Sequence, residues 1–407
     1  MRRKWMAVLT GVLVSVLAGC ADAPTEAPRP DARITTVSRQ GAVKFWESGA
    51  SVYWNQIARD LVVKYSTNPF AANRGYTILS TSQYNAIIAA EGAANGSVHP
   101  SVTAAVAGAS AVALSYLYPA EASTLENRVD GQLSAPDWPG DANTDLASGE
   151  TIGRAVAEQV VARAKTDAFF APWNGTVPVG PGLWFSTSNP PAPPVGGQFG
   201  QARSYFLSSG DQFRPPPPPT FGSPEFLAAL AEVRQISDTR TPQQTAIAQF
   251  WAFPAGTITP PGFWNSEATD LIVEHHLRER EAAHVLALVN MAAFDALVAC
   301  FDAKFAYWFI RPTQADPLIT LAVALPNFPS YPSAHACVSG AMSTILGAMF
   351  PSESSRLDAM AEEAALSRLL GGLHYGFDND TGLRLGRRVA ELALSLDVRG
   401  HEPFVLK

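Results

Sequence analysis

Apolar residues recur at three- and four-residue spacing through residues 43–63, 82–94, 101–117 and 149–166. The pattern resumes through 224–236, 242–251, 267–309, 334–349, 354–370 and 381–396. That spacing lays one apolar stripe along an α-helix, and no comparable run of alternating residues marks strands. The expected fold is therefore all-α, a helical bundle. Between the two helical sets lies an irregular stretch, 171–220, rich in Pro and Gly and including an unbroken proline run at 215–219. A free linker carries little to bury, whereas this one holds Trp173, Trp184, Phe185, Phe206 and Phe213. Those aromatics predict an ordered Pro-rich loop packed over one helical domain, rather than a spacer between two. A chain of 407 residues that is 47% hydrophobic and only 16% charged has ample material for such a core.

The formal net charge is −7 and no basic block is present, so nucleic acid is not an expected partner. Arg2, Arg3 and Lys4 precede an apolar run, 6–16, that is too short to span a bilayer. Leu17, Ala18 and Gly19 then lead to Cys20. This resembles a bacterial lipoprotein signal, which implies residues 1–19 as signal peptide, lipid attachment at Cys20 and a tether over 20–40. Residues 41–407 would form the single α-helical domain. The implied location is the cell envelope, facing the periplasm and anchored in the outer membrane. No later segment reads as transmembrane; 101–118 is the most apolar, and its Ala, Ser and Thr suit a buried helix. Of three cysteines, Cys300 and Cys337 lie in the domain, and pairing or free thiols are both open.

Three clusters carry candidate chemistry. In the first, Lys304 and Arg311 are seven residues apart, two helical turns, which puts them on one face of a helix that Pro312 stops. Phe305, Tyr307, Trp308, Phe309 and Ile310 between them mark that helix as buried, and a buried cation needs an anion. The second is a Pro-punctuated loop, 326–335, opening a helix with Ser333, Ala334 and His335 in its first turn. Free amides and a hydroxyl at a helix start suit an anion, although a serine there is more often a plain N-cap. In the third, Arg368 is followed by His374 and Asp378, four residues apart. On a helix the carboxylate can accept Nδ1–H of the imidazole, leaving Nε2 free as nucleophile or metal ligand.

Taken in order, Lys304-x6-Arg311-Pro312, then Pro332-Ser333-x-His335, then Ser367-Arg368-x5-His374-x3-Asp378 resembles the signature of the type 2 phosphatidic acid phosphatase and vanadium-dependent haloperoxidase superfamily. The resemblance implies that superfamily's all-α bundle. Lys304, Arg311 and Arg368 would bind the oxyanion with the Ser333 hydroxyl and the backbone N–H of Ala334. His374 would be the phosphoryl-accepting nucleophile of a phosphatase or the axial ligand of vanadate in a haloperoxidase. His335 would be the general acid/base, and Asp378 would orient His374. The segments 240–251 and 260–265, the aromatics Trp173 and Trp184, and Asp211 with Phe213 are similar to the soluble bacterial haloperoxidase-like branch. That branch implies bound vanadate, with hydrogen peroxide and halide as small-molecule substrates. The alternative is an acid phosphatase acting on phosphate esters through a phosphohistidine, with no cofactor. A third reading is a protein that binds an oxyanion without turnover. The chain departs from the family pattern at Ala334, where glycine is usual, at Phe301, where chloroperoxidase-type members carry Trp, and at Phe253 and Pro254, which stand where an Asp often follows Phe-Trp-Ala. Phe328 matches an aromatic that flanks the pocket. Oligomeric state is left open.

Other titratable groups read as structural. His275, His276 and His284 stand near Glu279 and Glu281 in one apolar-striped segment, but Arg278 and Arg280 share it, which favours a salt-bridged face over a metal site. Asp295 and Asp302 lie near the cationic helix, and pairing with Arg368 or Lys304 is the less favoured of their readings.

Overall fold

Several helices begin where short polar side chains can satisfy the free amides of a first turn. Asn68 caps with Pro69 behind it, Ser101 accepts from the amide of Ala104 at 3.1 Å, and Thr241 and Gln244 form a reciprocal capping box ahead of Pro242. The computed structural model describes residues 49–134, 144–397 and 400–406. The signal-like segment, Cys20 and the tether lie outside them. Phe45–Lys407 forms one compact unit.

Among the described residues there are thirteen α-helices and only isolated β-bridges. The helices are α1 (Ala50–Lys64), α2 (Pro69–Gly92), α3 (Val102–Leu117), α4 (Ala122–Leu133), α5 (Leu146–Lys165), α6 (Pro224–Thr239), α7 (Pro242–Phe250), α8 (Thr259–Glu274), α9 (Glu279–Tyr307), α10 (Pro312–Ala315), α11 (Ala334–Met349), α12 (Ser354–Leu370) and α13 (Gly376–Ser395). The all-α expectation holds. The axis of the bundle is α9, which packs against α2 on one side and α11 and α13 on the other. By length and apolarity α9 passes for a membrane span, but its apolar window is wholly buried inside the protein.

Two expected helices break. The stripe through 267–309 is two helices, because His275 ends α8 and His276 takes a left-handed φ of 53°. Lys304 and Arg311 do not share one helix either. Trp308 adopts φ 49° and ends α9 at Tyr307, so Arg311 stands outside it as the N-cap of α10. The cause is tertiary: the backbone after α9 pairs with the irregular stretch. The amide of Trp184 donates to Trp308 O at 2.7 Å and that of Ile310 to Gly182 O at 3.0 Å.

The irregular stretch is ordered. Its backbone is held by Asp295 of α9, whose carboxylate accepts from the amides of Tyr205, Phe206 and Leu207 at 2.7–3.0 Å. Arg214 pairs bidentately with Asp302 of the same helix at 2.7 and 2.8 Å. Tyr307 and Tyr331 donate to the carbonyls of Pro215 and Pro216, which ties the proline run to the end of α9 and to the loop before α11. Asp295 and Asp302 therefore serve this stretch rather than Arg368 or Lys304.

The helix that brings Asp378 to the site lies unusually close to α11. A Cβ on Gly382 would come within 2.7 Å of Ser333 O, and one on Gly386 within 2.1 Å of Cys337 O. Glycines one turn apart let the two backbones touch and bring the first turn of α13 beside the start of α11.

Candidate oxyanion site

Three segments meet at the end of α9: the turn around Arg311, the loop 326–335, and the C-terminus of α12 with the residues that follow it. Lys304, Arg311, Ser333 and Asp378 are each 0% exposed, and Arg368 and His374 are 3% exposed. Burying three cations this deeply costs solvation, so their partners decide what the site is for.

Lys304 gives its ammonium to three backbone carbonyls, Pro329 O at 2.9 Å, Ser330 O at 2.8 Å and Pro332 O at 2.6 Å. An ammonium has three N–H donors, so Lys304 is saturated. It clamps the loop and projects charge, whereas the family resemblance has it touching the anion directly. Burial lowers its pKa to about 8, although the neighbouring thiol of Cys300 opposes the shift. Arg311 donates Nε to Phe328 O at 3.0 Å and Nη1 to Leu373 O and His374 Nε2, both at 2.9 Å. Its Nη2 is buried with no partner. Arg368 donates to Ser367 Oγ at 2.9 Å and to Ala248 O at 2.8 Å. Burial lowers the pKa of Arg311 to about 10 and, together with Arg311, that of Arg368 to about 9. None of these partners is a carboxylate. The Phe328 ring lies 5.0 Å from both Lys304 Nζ and the Arg311 guanidinium carbon, an aromatic face against both cations.

Ser333 is the N-cap residue of α11, yet its hydroxyl makes no cap hydrogen bond and is buried without a partner. The plain N-cap interpretation therefore fails. An orphaned hydroxyl and an orphaned guanidinium N–H, buried together among cations, are donors kept for an acceptor of the opposite charge. Ala334 is absent from the residues with positive φ, so its methyl sits on ordinary backbone and leaves the first-turn amides free to face the pocket. These donors fit an oxyanion such as vanadate or phosphate.

His374 precedes α13 instead of lying on it, and Asp378 reaches it from position N3 of that helix, within a capping box on Tyr375. The contact is as expected, with His374 Nδ1 2.8 Å from Asp378 Oδ2, but a cap supplies it. The tautomer follows. Arg311 can only donate to Nε2, so Nε2 is the acceptor and Nδ1 carries the proton to Asp378. Burial, reinforced by Arg311, Lys304 and Arg368, holds the pKa of His374 well below the usual histidine value. Burial also raises the Asp378 carboxyl to about 6, while the Ser330 hydroxyl, which donates to Oδ2 at 2.6 Å, opposes that rise.

His335 is half-buried. Its Nε2 lies 3.0 Å from Trp251 O, and a carbonyl only accepts, so Nε2 holds the proton. Burial and then Arg368 push its pKa well below the usual value, which leaves Nδ1 as a neutral base.

All eight expected site residues thus fall in or against one pocket, with Lys304 in an altered role. Sequence reasoning missed Ser330, although it stands in the same loop as Ser333. It also missed the carbonyls of Ala248, Trp251, Phe328, Pro329, Pro332 and Leu373, which have no side-chain signature. Phe301 packs against Phe70, Phe199 and Phe328 with ring centroids 5.1–5.3 Å apart. Phe253, at φ 35°, lies in an aromatic cluster with Phe250 and Phe263. The histidines of the other segment are engaged elsewhere: His284 bonds Asp397 at 2.6 Å, and Glu279 caps the start of α1 through Ala50 and Ser51. Cys300 and Cys337 are free, buried thiols.

Comparison with known proteins agrees with this geometry. Residues 283–399 match the family model described as PAP2 superfamily. Vanadium chloroperoxidase of Curvularia inaequalis is 26% identical over a stretch covering 35% of this chain and 30% of that protein, so the match spans under a third of the curated relative. A crystal structure described as the first bacterial vanadium-dependent iodoperoxidase superposes with a TM-score of 0.72 at 21% identity, covering 85% of this chain and 95% of that one. An apo-type bacterial vanadium-dependent chloroperoxidase gives 0.66 at 14% identity, covering 81% and 94%. At these identities the structural likeness establishes the fold. The C-terminal helices, residues 283–399, thus match the PAP2 superfamily, and the chain is built on the all-α fold of the vanadium haloperoxidases.

Proposed function

We propose that the protein is a vanadate-dependent haloperoxidase that uses hydrogen peroxide to oxidise halide. The observation that carries this reading is burial. Every side-chain anion donor is at most 3% exposed, Ala334 is 9% exposed and His335 is half-buried, so the pocket suits a small resident inorganic anion better than an ester with an alcohol to expel. The names of the curated relative and of the structural neighbours point the same way.

Arg311 Nη2, the Ser333 hydroxyl, the free side of Arg368 and the first amides of α11 would hold vanadate, with His374 Nε2 as its protein ligand. Bound vanadate supplies the activation of peroxide toward two-electron halide oxidation. The chain's own residues do the rest. Lys304 fixes the loop and adds positive field without touching the anion. Asp378 holds the His374 proton on Nδ1, which keeps Nε2 unprotonated; its lone pair, which accepts from Arg311 Nη1, would turn to the bound anion. His335, neutral and with Nδ1 unprotonated, is the base that takes a proton from an incoming oxygen acid. Phe328 and Phe301 keep water from the cations on their inner side.

One observation favours the second reading, a phosphatase acting through phosphohistidine. The same tautomer leaves Nε2 of His374 unprotonated, a nucleophile toward phosphorus once an ester displaces Arg311 Nη1 from it, with neutral His335 as the base that would activate water to release the phosphate. The test is to reconstitute the protein with orthovanadate and assay bromination and iodination of monochlorodimedone with peroxide, alongside p-nitrophenyl phosphate hydrolysis without vanadate. Vanadate-dependent halogenation abolished in His374→Ala is the expected result. Hydrolysis lost in His374→Ala, with no halogenation despite bound vanadium, would establish the phosphatase instead.

We further propose, from residues 1–20, a lipid anchor at Cys20 facing the periplasm. Cys20→Ser should release the protein from washed membranes into the soluble periplasmic fraction. A wild-type protein that is soluble and carries no lipid on Cys20 would count against the anchor.

A further inference from the structure

Ser330 is 0% exposed and takes no part in the roles assigned above, yet it touches every arm of the site. Its amide donates to Phe309 O at 2.9 Å, two residues before Arg311, and its carbonyl accepts from Lys304 at 2.8 Å. Its hydroxyl donates to Asp378 Oδ2 at 2.6 Å. That oxygen is the one that holds His374 Nδ1 at 2.8 Å, and it also receives the Tyr375 amide at 3.3 Å. The other oxygen, Oδ1, is buried with no partner. All the donors found for this carboxylate therefore converge on one oxygen, and the shortest of the three contacts is the serine.

We propose that Ser330 is a positioning residue for His374. Its hydroxyl pins Asp378 Oδ2 in the direction of the imidazole, and through it keeps the His374 proton on Nδ1 and Nε2 unprotonated. Without that hydroxyl the carboxylate is free to turn its unpartnered Oδ1 toward other donors, which leaves Arg311 alone to set the tautomer of the imidazole. Only the side chain matters for this role. Ser330→Ala keeps the amide to Phe309 and the carbonyl clamp on Lys304, so it isolates the hydroxyl from the loop's architecture. The inference rests on His374 engaging the oxyanion, and not on which of the two reactions follows.

The test uses the full mature protein with ¹⁵N-labelled histidine, the His374 signals being assigned by their loss in His374→Asn. Long-range ¹H–¹⁵N correlation should show a single Nδ1–H tautomer in the wild type and a mixture in Ser330→Ala. Phosphate affinity, by calorimetry, should fall about tenfold, the order expected for one charge-assisted hydrogen bond. In whichever reaction the wild type catalyses, kcat should fall about ten- to a hundred-fold, with KM changed less than about threefold. Ser330→Thr, which restores the hydroxyl, should recover the tautomer, as should Ser330→Cys in part if the extra methyl of threonine does not fit. A Ser330→Ala protein that keeps one Nδ1–H tautomer and wild-type phosphate affinity overturns the proposal. So does one whose losses merely track a fall in its urea midpoint. If the wild type shows neither halogenation nor phosphatase activity, the reaction assigned above fails, while the tautomer and affinity measurements still decide the role of Ser330.

Discussion

All three N–H donors of Lys304 end on carbonyls of the loop that carries Ser333, so under the proposed function the residue would act on an anion through its field and through the shape it gives that loop. The consequence for pH is specific. With a folded-state pKa near 8, Lys304 loses its proton well below the usual lysine value of about 10.4. Between those two values the unfolded chain binds more protons than the folded one, so this group makes stability rise with pH in that window. Anion affinity moves the other way. Binding of sulfate, a tetrahedral anion that does not titrate in this range, should be level below about pH 7.5 and should weaken above pH 8, by up to about tenfold per pH unit. Calorimetric titrations from pH 6.5 to 9.5 check this, and affinity flat across the range would show that Lys304 stays charged or contributes no field. The residue types at the site were legible in the sequence because a phosphate-like anion leaves few choices of donor. The clamp was not, because carbonyls leave no mark in a sequence.

At the scale of elements, the site depends on how closely α13 lies on α11. Gly386 faces Cys337 O with room for no side-chain atom, since an added Cβ would stand 2.1 Å away. Helix propensity alone favours alanine over glycine by about 1 kcal/mol. Here the clash outweighs that preference, because the obstacle is backbone. Gly386→Ala should destabilise the protein by roughly 2 kcal/mol or more and weaken oxyanion binding by shifting Asp378 away from His374. Urea unfolding with a parallel phosphate titration measures both. A stabilised variant with unchanged binding would mean the two helices can separate without cost. Helix existence was readable from the apolar stripes, but two boundaries were not. The breaks at His276 and Trp308 sit inside continuous apolar periodicity, and only packing places a left-handed residue there. The helix α4 and the first half of α2 also escaped the pattern. In α2 the buried face carries Asn73, Arg74, Thr77 and Ser80, which do not register as apolar.

Across the whole molecule, the irregular stretch braces the elements that carry the site, α9 and the loop before α11. Asp295 of α9 holds it by accepting three consecutive amides, and burial raises that carboxyl to about 6. Asp295→Ala leaves those buried amides without an acceptor, a loss of about 1–3 kcal/mol for each donor that finds no water. Trypsin should then cut after Arg203 at least several-fold faster than in the wild type, followed by mass spectrometry. Equal resistance of both proteins would mean that Arg214 with Asp302 and the tyrosine contacts suffice to hold the stretch.

The sequence by itself determined the helical class, the ordered character of the aromatic-bearing proline stretch, and which side chains gather at the candidate oxyanion site. Each of these follows from local periodicity or from the small set of groups able to bind a buried anion. Only the tertiary structure decided that Lys304 is saturated, that Ser333 leaves its hydroxyl uncapped, that His374 is fixed through a capping turn, and that Ser330 stands behind Asp378. Those outcomes depend on where backbone carbonyls and amides come to rest once the helices pack, and every residue carries the same two backbone groups whatever its side chain.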